Sequence, residues 1–318
     1  MTQIVVGAYA AAPPRLFERV SEEAEWYALL RTEQLVGGLE LAFDKTLHHG
    51  GMTHLASLLH PEWSSVVTAI PGTGRALITD PEYGLASDDE EGRLRAMTDI
   101  ARLHREVTEL SGILGERSIR AVQLHSAPNA LRAASSARSF AQSLGEIASW
   151  SWGRTMLMVE HCDAPAPDHV AEKGFLQLAD EIEAVREASA HSLTGLGHTI
   201  NWARSAIETR SADSPERHLA ELSKTTAPVA IMFSGVSADV TPYGGAFADS
   251  HLPVAEAEPS SLLTTQTIER IVLRFDQCAY LGVKVGSPAE RTQFTDRFEP
   301  TRVTAKALDQ ALAARSRA

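Results

Sequence analysis

Eight short runs rich in β-branched and other apolar residues recur along the chain. Each is followed by a longer segment whose apolar positions return every three or four residues. The runs fall at 4–9, 38–43 (GLELAF), 64–70 (SSVVTAI), 119–125 (IRAVQLH), 156–161 (MLMVEH), 197–202 (GHTINW), 229–234 (VAIMFS) and 280–285 (YLGVKV). Short runs of this kind predict strands, and the 3.6-residue period between them predicts helices. Helices are expected at 16–31, 90–110, 130–147, 174–190, 215–224, 260–278 and 301–315. Ser87-Asp88-Asp89 supplies a cap for the second of these, with acids near its positive end. Ser214-Pro215 suits a cap followed by a first-turn proline. Such alternation implies a parallel sheet, and eight units predict an α/β chain closed as a (β/α)8 TIM barrel, with 1–318 as a single domain. Two connections exceed what packing needs, 71–89 after the third strand and 235–259 after the seventh. Both follow carboxyl ends of strands, where barrel enzymes build their sites.

Alternation within each run sorts its faces, since barrel strands point alternate side chains inward. Leu39, Leu41 and Phe43 form the helix-facing side of the second strand, so Glu40 points inward. The same argument turns Gln123 and His125 inward from the fourth strand, Asn201 from the sixth and Lys284 from the eighth. The fifth strand is ambiguous, and Glu160 joins the set if it faces in, with His161 on the opposite side. A wall this polar is costly unless it is paired or solvated, at about 1–3 kcal/mol per unsatisfied group. The set therefore describes either a solvated pocket or a buried ion pair filling the barrel.

Composition narrows the classes. The formal net charge of −12 lacks any basic cluster, which argues against a nucleic-acid partner. No apolar window approaches the roughly 18 residues of a membrane helix, and no basic segment precedes a long apolar one. The two cysteines, Cys162 and Cys278, suit a reducing compartment. A cytoplasmic protein is expected. The chain has no GxSxG elbow, phosphate-binding Walker loop, HExxH helix or CxxC pair.

The strand ends Leu39-Glu40-Leu41, Val159-Glu160-His161 and Asn201-Trp202 resemble those of the xylose isomerase-like superfamily of sugar isomerases and epimerases. Val6-Gly7-Ala8-Tyr9-Ala10-Ala11-Ala12-Pro13, Thr68-Ala69-Ile70-Pro71-Gly72-Thr73, Gly84-Leu85-Ala86-Ser87 and Asn201-Trp202-Ala203-Arg204-Ser205 are similar to an uncharacterised bacterial branch of it. The resemblance covers nearly the whole chain. It implies a divalent metal held by Glu, a carboxylate, His and Glu from the late strands, and it allows a homodimer. Here Glu160 matches the first position, but Asn201 stands at the second and Lys284 is nearest the fourth. The seventh strand ends in Phe233-Ser234-Gly235 without histidine, so only His251 in the following loop could substitute. Two unit charges 4 Å apart interact by roughly 4 kcal/mol at an effective dielectric near 20, and a divalent ion doubles this. An ammonium in place of a carboxylate thus opposes the metal. No cofactor is expected, with a weakly held Mn, Mg or Zn ion left open.

The resulting expectation is an isomerase- or epimerase-like enzyme acting on a small carbohydrate or sugar acid. Glu160 and Glu40 would exchange protons, and Lys284 would stabilise a developing enolate in place of metal. His125, His161, Asn201, Arg204 and His251 would hold substrate, with Asp249 beside His251 in a lid contact. His48 and His49 are adjacent and diverge, so they are not expected to share a metal. Two alternatives stay open: a carbon–carbon or carbon–oxygen lyase, including an aldolase using Lys284 as Schiff-base nucleophile, and a non-catalytic carbohydrate-binding barrel.

Overall fold

A computed structural model describes residues 4–16, 19–190, 192 and 194–317. Eight parallel strands close in sequence order into a barrel: β1 (Ile4–Val6), β2 (Val36–Ala42), β3 (Ser65–Thr68), β4 (Ile119–Leu124), β5 (Met156–His161), β6 (Leu196–Asn201), β7 (Val229–Phe233) and β8 (Cys278–Val283). Closure is made by β1 against β8, with Val5 opposite Gly282. The fold is a (β/α)8 TIM barrel, as the alternation predicts. No helix among the described residues is long and apolar enough to cross a membrane.

Ten α-helices lie among the described residues: α1 (Val20–Thr32), α2 (Gly51–Leu58), α3 (Ile70–Leu77), α4 (Glu90–Leu114), α5 (Ala137–Ala148), α6 (Leu178–Ser189), α7 (Trp202–Thr209), α8 (Ser214–Leu222), α9 (Thr265–Arg274) and α10 (Phe294–Arg315). Three of them, α2, α3 and α7, escape the periodicity argument. Each spans about two turns, too short for the pattern to repeat, and α3 carries Gly72 and Gly74. The connection after β3 is therefore partly helical rather than one long loop. Other boundaries move for local reasons. α5 begins seven residues later than expected, where the Ser136 side chain accepts from Ser139 N–H. α9 begins where Thr264 caps Thr267 N–H. α10 runs through Pro300, a residue that ordinarily ends a helix because it lacks an N–H. The first strand stops at Val6, and a single 3-10 turn, Ala8–Ala10, then carries Tyr9.

Two cores form. The larger packs strand faces such as Leu39, Val122 and Ile200 against the helices. The smaller fills the barrel with Val5, Val66, Ala121, Met158, Ala230, Met232 and Tyr280. Polarity rises along the barrel axis. Tyr280 Oη meets Gln123 Nε2 at 3.0 Å and Thr199 Oγ1 at 2.8 Å inside the wall, and the charged residues stand at the carboxyl ends of the strands. The connection after β7 is ordered by backbone pairs, including Gly235 N to Leu252 O at 2.7 Å and the return at 2.9 Å. It is thereby folded back across the mouth of β7.

The Asp89 side chain accepts from Gly92 N–H at 2.7 Å and caps α4. Asp89→Ala should cost about 1 kcal/mol in chemical denaturation. An unchanged midpoint would show that the cap contributes nothing.

Candidate active site

The polar and charged residues at the barrel mouth come from seven places in the fold. Glu40 stands on β2, His125 just past β4, Glu160 on β5 and Asn201 at the end of β6. Lys284 follows β8, and the connection after β7 brings Asp249 and His251. Helix α7 starts with no intervening loop after Asn201, so Arg204 lies in its first turn and reaches back over the strand ends. Glu40, His125, Glu160, Asn201, Arg204 and Lys284 are all buried.

Arg204 ties two carboxylates together. Its Nη1 is 2.8 Å from Glu160 Oε2, and its Nε donates to Asp249 Oδ2 at 3.1 Å. Glu160 also accepts from His125 Nε2 at 2.8 Å and from Asn201 Nδ2 at 3.3 Å. Asp249 is further paired with Lys173 Nζ at 3.1 Å. Lys173 is placed by Asp163, which accepts its backbone N–H. Burial alone would raise the Glu160 pKa, but Arg204, His125 and Lys284 together hold it well below the usual carboxylate range. Asp249 is likewise held low against burial, by Arg204, His251 and Lys173. Both acids are fixed anions.

Glu40 forms a separate unit. Its Oε2 lies 3.1 Å from Lys284 Nζ, but without hydrogen-bond alignment, so both partners keep bonding capacity. Lys284 Nζ also sits 5.0 Å from the centre of the Tyr9 ring, a cation–π contact. The close approach requires Gly7, because a Cβ there would come within 2.8 Å of Lys284 Cγ and 3.1 Å of Glu40 Oε2. Burial raises the Glu40 pKa and outweighs the opposing pull of Lys284. For Lys284 the balance runs the other way: burial would lower its pKa, but Glu40 and Tyr9 hold it above the ordinary lysine value.

Several buried polar atoms at the mouth lack an aligned hydrogen bond within the protein. They include both Glu40 oxygens, His125 Nδ1, Asn201 Oδ1, Asp249 Oδ1 and Lys284 Nζ. Unsatisfied buried polar atoms are rare in folded proteins, and their convergence makes the mouth the candidate site. Next to them a cavity of about 300 Å³ opens over the end of β2, lined by residues including Tyr9, Glu40, Asp44, His48 and Arg75. A larger cavity, about 820 Å³, lies at the opposite end of the barrel around Trp63, Arg120 and Arg154. None of the mouth residues lines it, so size does not identify the site here. His251 adds a strained element: it adopts φ 57° without being glycine and places Nδ1 2.9 Å from Ser234 Oγ.

The chain matches the family described as "Domain of unknown function (DUF4862)" over residues 5–299. It belongs to that family. It is 34% identical over 276 residues to the "Uncharacterized protein STM3670" of Salmonella typhimurium (strain LT2), covering 85% of this chain and 84% of the relative. Solved structures share the barrel at low identity. One is a "Putative Xylose isomerase" from Rhodospirillum rubrum ATCC 11170, with TM-score 0.63, 12% identity and coverage of 98% of this chain and 99% of the other. A xylose isomerase-like TIM barrel protein from Mycobacterium smegmatis, solved with magnesium, gives 0.58, 10%, 98% and 97%. D-Psicose 3-epimerase with D-tagatose from Clostridium cellulolyticum H10 gives 0.54, 10%, 99% and 98%. These likenesses establish the fold, that of the xylose isomerase-like TIM barrels which the strand ends resemble.

Within this DUF4862 barrel, most residues singled out from sequence converge, but not all. Glu40, His125, Glu160, Asn201, Arg204, His251 and Lys284 share the mouth. His161 does not, which corrects its place among the substrate-holding residues. It points outward from β5 and is gripped between Glu181 and Glu208, at 2.7 and 2.9 Å. Burial would lower its pKa, but those two acids raise it to about 10. Arg204 is committed to the protein's own carboxylates rather than free for a substrate anion. Two further residues join the mouth: Lys173 lies in a connection that no periodicity marks, and Tyr9, at the end of the first run, lies on a 3-10 turn rather than a strand. Arg204 and Lys284 bring two cations among the groups where the superfamily's metal would sit, and the residues present do not fit a divalent ion there.

Arg204→Met should lower stability by about 3–5 kcal/mol, since it leaves Glu160 and Asp249 charged and buried without their shared partner. The pH sign follows from the direction of both shifts. Carboxylates with depressed folded pKa values stabilise above their unfolded values of about 4 and lose that contribution as pH falls. The wild type should therefore lose stability below about pH 4 more steeply than Arg204→Met in denaturation measured across pH. Equal stability and parallel acid limbs would contradict the clamp.

Proposed function

We propose that this protein moves a proton between adjacent carbons of a small sugar or sugar acid, isomerising or epimerising it without a metal at the barrel mouth. The observation that carries the proposal is the contrast between the two inner glutamates. Glu160 is pinned as an anion, whereas Glu40 is raised by burial, keeps both oxygens unsatisfied and faces the Lys284 ammonium. Environments that push paired carboxylates apart in this way separate an acid–base group from a fixed charge. Glu40 takes the proton from the carbon beside the carbonyl. Lys284 stabilises the negative charge that develops on the carbonyl oxygen, in a buried setting where a fixed cation acts strongly. Glu40 then returns the proton to the former carbonyl carbon, while the hydroxyl on the first carbon passes its proton to the former carbonyl oxygen and becomes the new carbonyl.

Glu160 serves as the anchor that orients His125 and Asn201. Their free Nδ1 and Oδ1 atoms suit hydroxyl groups of a substrate. The cavity of about 300 Å³ is at the small end of ligand pockets and favours a compact polar molecule. The D-psicose 3-epimerase among the structural neighbours supports a sugar as substrate class. A Schiff-base role for Lys284 is disfavoured, since that chemistry needs the neutral amine and Glu40 keeps the side chain protonated.

The test is wash-in of solvent deuterium. Wild-type protein incubated in D2O with a panel of ketoses, aldoses and their acids should label one of them at the carbon beside the carbonyl, followed by NMR. Glu40→Gln should slow labelling by about 10²–10⁴-fold while leaving the fold intact. Labelling by Glu40→Gln at the wild-type rate, or no labelling of any sugar or sugar acid, would overturn the proposal. Borohydride treatment with the labelled substrate should give no adduct on Lys284.

A further inference from the structure

Behind the strand that carries Glu160, a second group of ionisable side chains meets in the layer between barrel and helices. His161 comes from β5, Glu208 from α7 and His218 from α8. His161 Nε2 lies 2.9 Å from Glu208 Oε2, and His218 Nε2 lies 3.4 Å from Glu208 Oε1. One ligand atom from each residue falls within 4.8 Å of the other two. The two rings stand edge to face with centroids 5.0 Å apart.

The hydrogen bonds on the far sides of the rings decide what this group can hold. His161 Nδ1 donates to a Glu181 oxygen at 2.7 Å and keeps its proton there, so the proton on Nε2, donated to Glu208 at 2.9 Å, is the one a metal displaces. Glu181 is itself fixed by the Ser126 hydroxyl at 2.5 Å. His218 Nδ1 meets Ser205 Oγ at 3.0 Å, which again leaves Nε2 pointing at Glu208. A carboxylate or hydroxyl behind each ligating histidine is the supporting shell seen around protein-bound metals. Charge agrees as well. Glu181 and Glu208 supply two negative charges in a buried place, matching a divalent cation with two neutral imidazoles.

We propose that His161, Glu208 and His218 bind one Zn²⁺ between β5, α7 and α8. Two imidazole nitrogens and a carboxylate oxygen are a ligand set typical of zinc, with a fourth position left for water. On binding, the proton on His161 Nε2 leaves to solvent as the metal takes its place against Glu208. Glu208 and His218 are slightly exposed, at 10% and 13% of their side chains, which gives the ion a route in. The site is separate from the barrel mouth, because His161 and Glu160 point to opposite sides of the same strand. It nonetheless fixes α7, the helix whose first turn carries Arg204.

A second cluster, Glu23, His48 and His54, has similar spacing but the wrong proton. His48 Nδ1 accepts the Gly50 N–H at 2.9 Å, so its proton lies on Nε2, the nitrogen that faces Glu23 at 2.7 Å. Freeing that nitrogen for a metal would remove the ring's only proton, whereas His161 would keep the one on Nδ1.

Equilibrium dialysis of the full chain against micromolar Zn²⁺, followed by elemental analysis, tests the site. Wild type and His54→Ala should each hold one zinc per chain, His218→Ala should hold none, and Ser205→Ala should bind about 10-fold more weakly. Zinc should raise the thermal midpoint of wild type but not of His218→Ala, with circular dichroism confirming that the variant is folded. No zinc above the buffer blank, equal binding by His218→Ala, or loss of zinc from His54→Ala would each overturn the proposal.

Discussion

The mouth of this barrel is organised by one buried guanidinium. Arg204 reaches from the first turn of α7 to Glu160 on β5 and to Asp249 on the connection after β7. Removing water from two carboxylates is costly, and only a cation with directional donors offsets it. Once Glu160 is fixed as an anion, it can orient His125 and Asn201. Once Asp249 is fixed, the connection after β7 has an anchor at the mouth, with Lys173 on its other side. The strained backbone of His251, two residues on, is held in the same segment.

This arrangement separates two tasks that a divalent ion would combine. Charge neutralisation falls to Arg204 and Lys173, which sit on Glu160 and Asp249. Lys284 is left beside Glu40, the carboxylate whose burial raises its pKa. A raised carboxylate next to a permanent cation is a pairing suited to proton transfer at a carbon beside a carbonyl. The neighbouring structures share the barrel at 10–12% identity, and at that distance the chemistry must be argued from these side chains themselves.

Much of the fold was legible in the chain because a parallel barrel writes itself as a repeated change of period. The inner wall was legible for a related reason: in GLELAF, one polar residue among alternating apolar ones has only one face to occupy. What escaped had weaker local signals. Helices α2 and α7 span about two turns, and α10 continues through Pro300. His161 illustrates the limit of alternation more sharply. On β5 both faces are buried, so hydrophobicity cannot say which side a polar residue takes. Glu160 went inward to Arg204, and His161 went outward to Glu181 and Glu208. Arg204 itself was noticed, but its partners lie 44 and 45 positions away in sequence, and only the fold brings them together.

The central claim is that a guanidinium neutralises Glu160 and Asp249 at the barrel mouth. Crystals grown with excess Mn²⁺ and measured above and below the manganese absorption edge test it most directly. The account predicts no anomalous peak within bonding distance of Glu160, with Arg204 still spanning Glu160 and Asp249. A manganese ion ligated by Glu160, with Arg204 displaced, would contradict it.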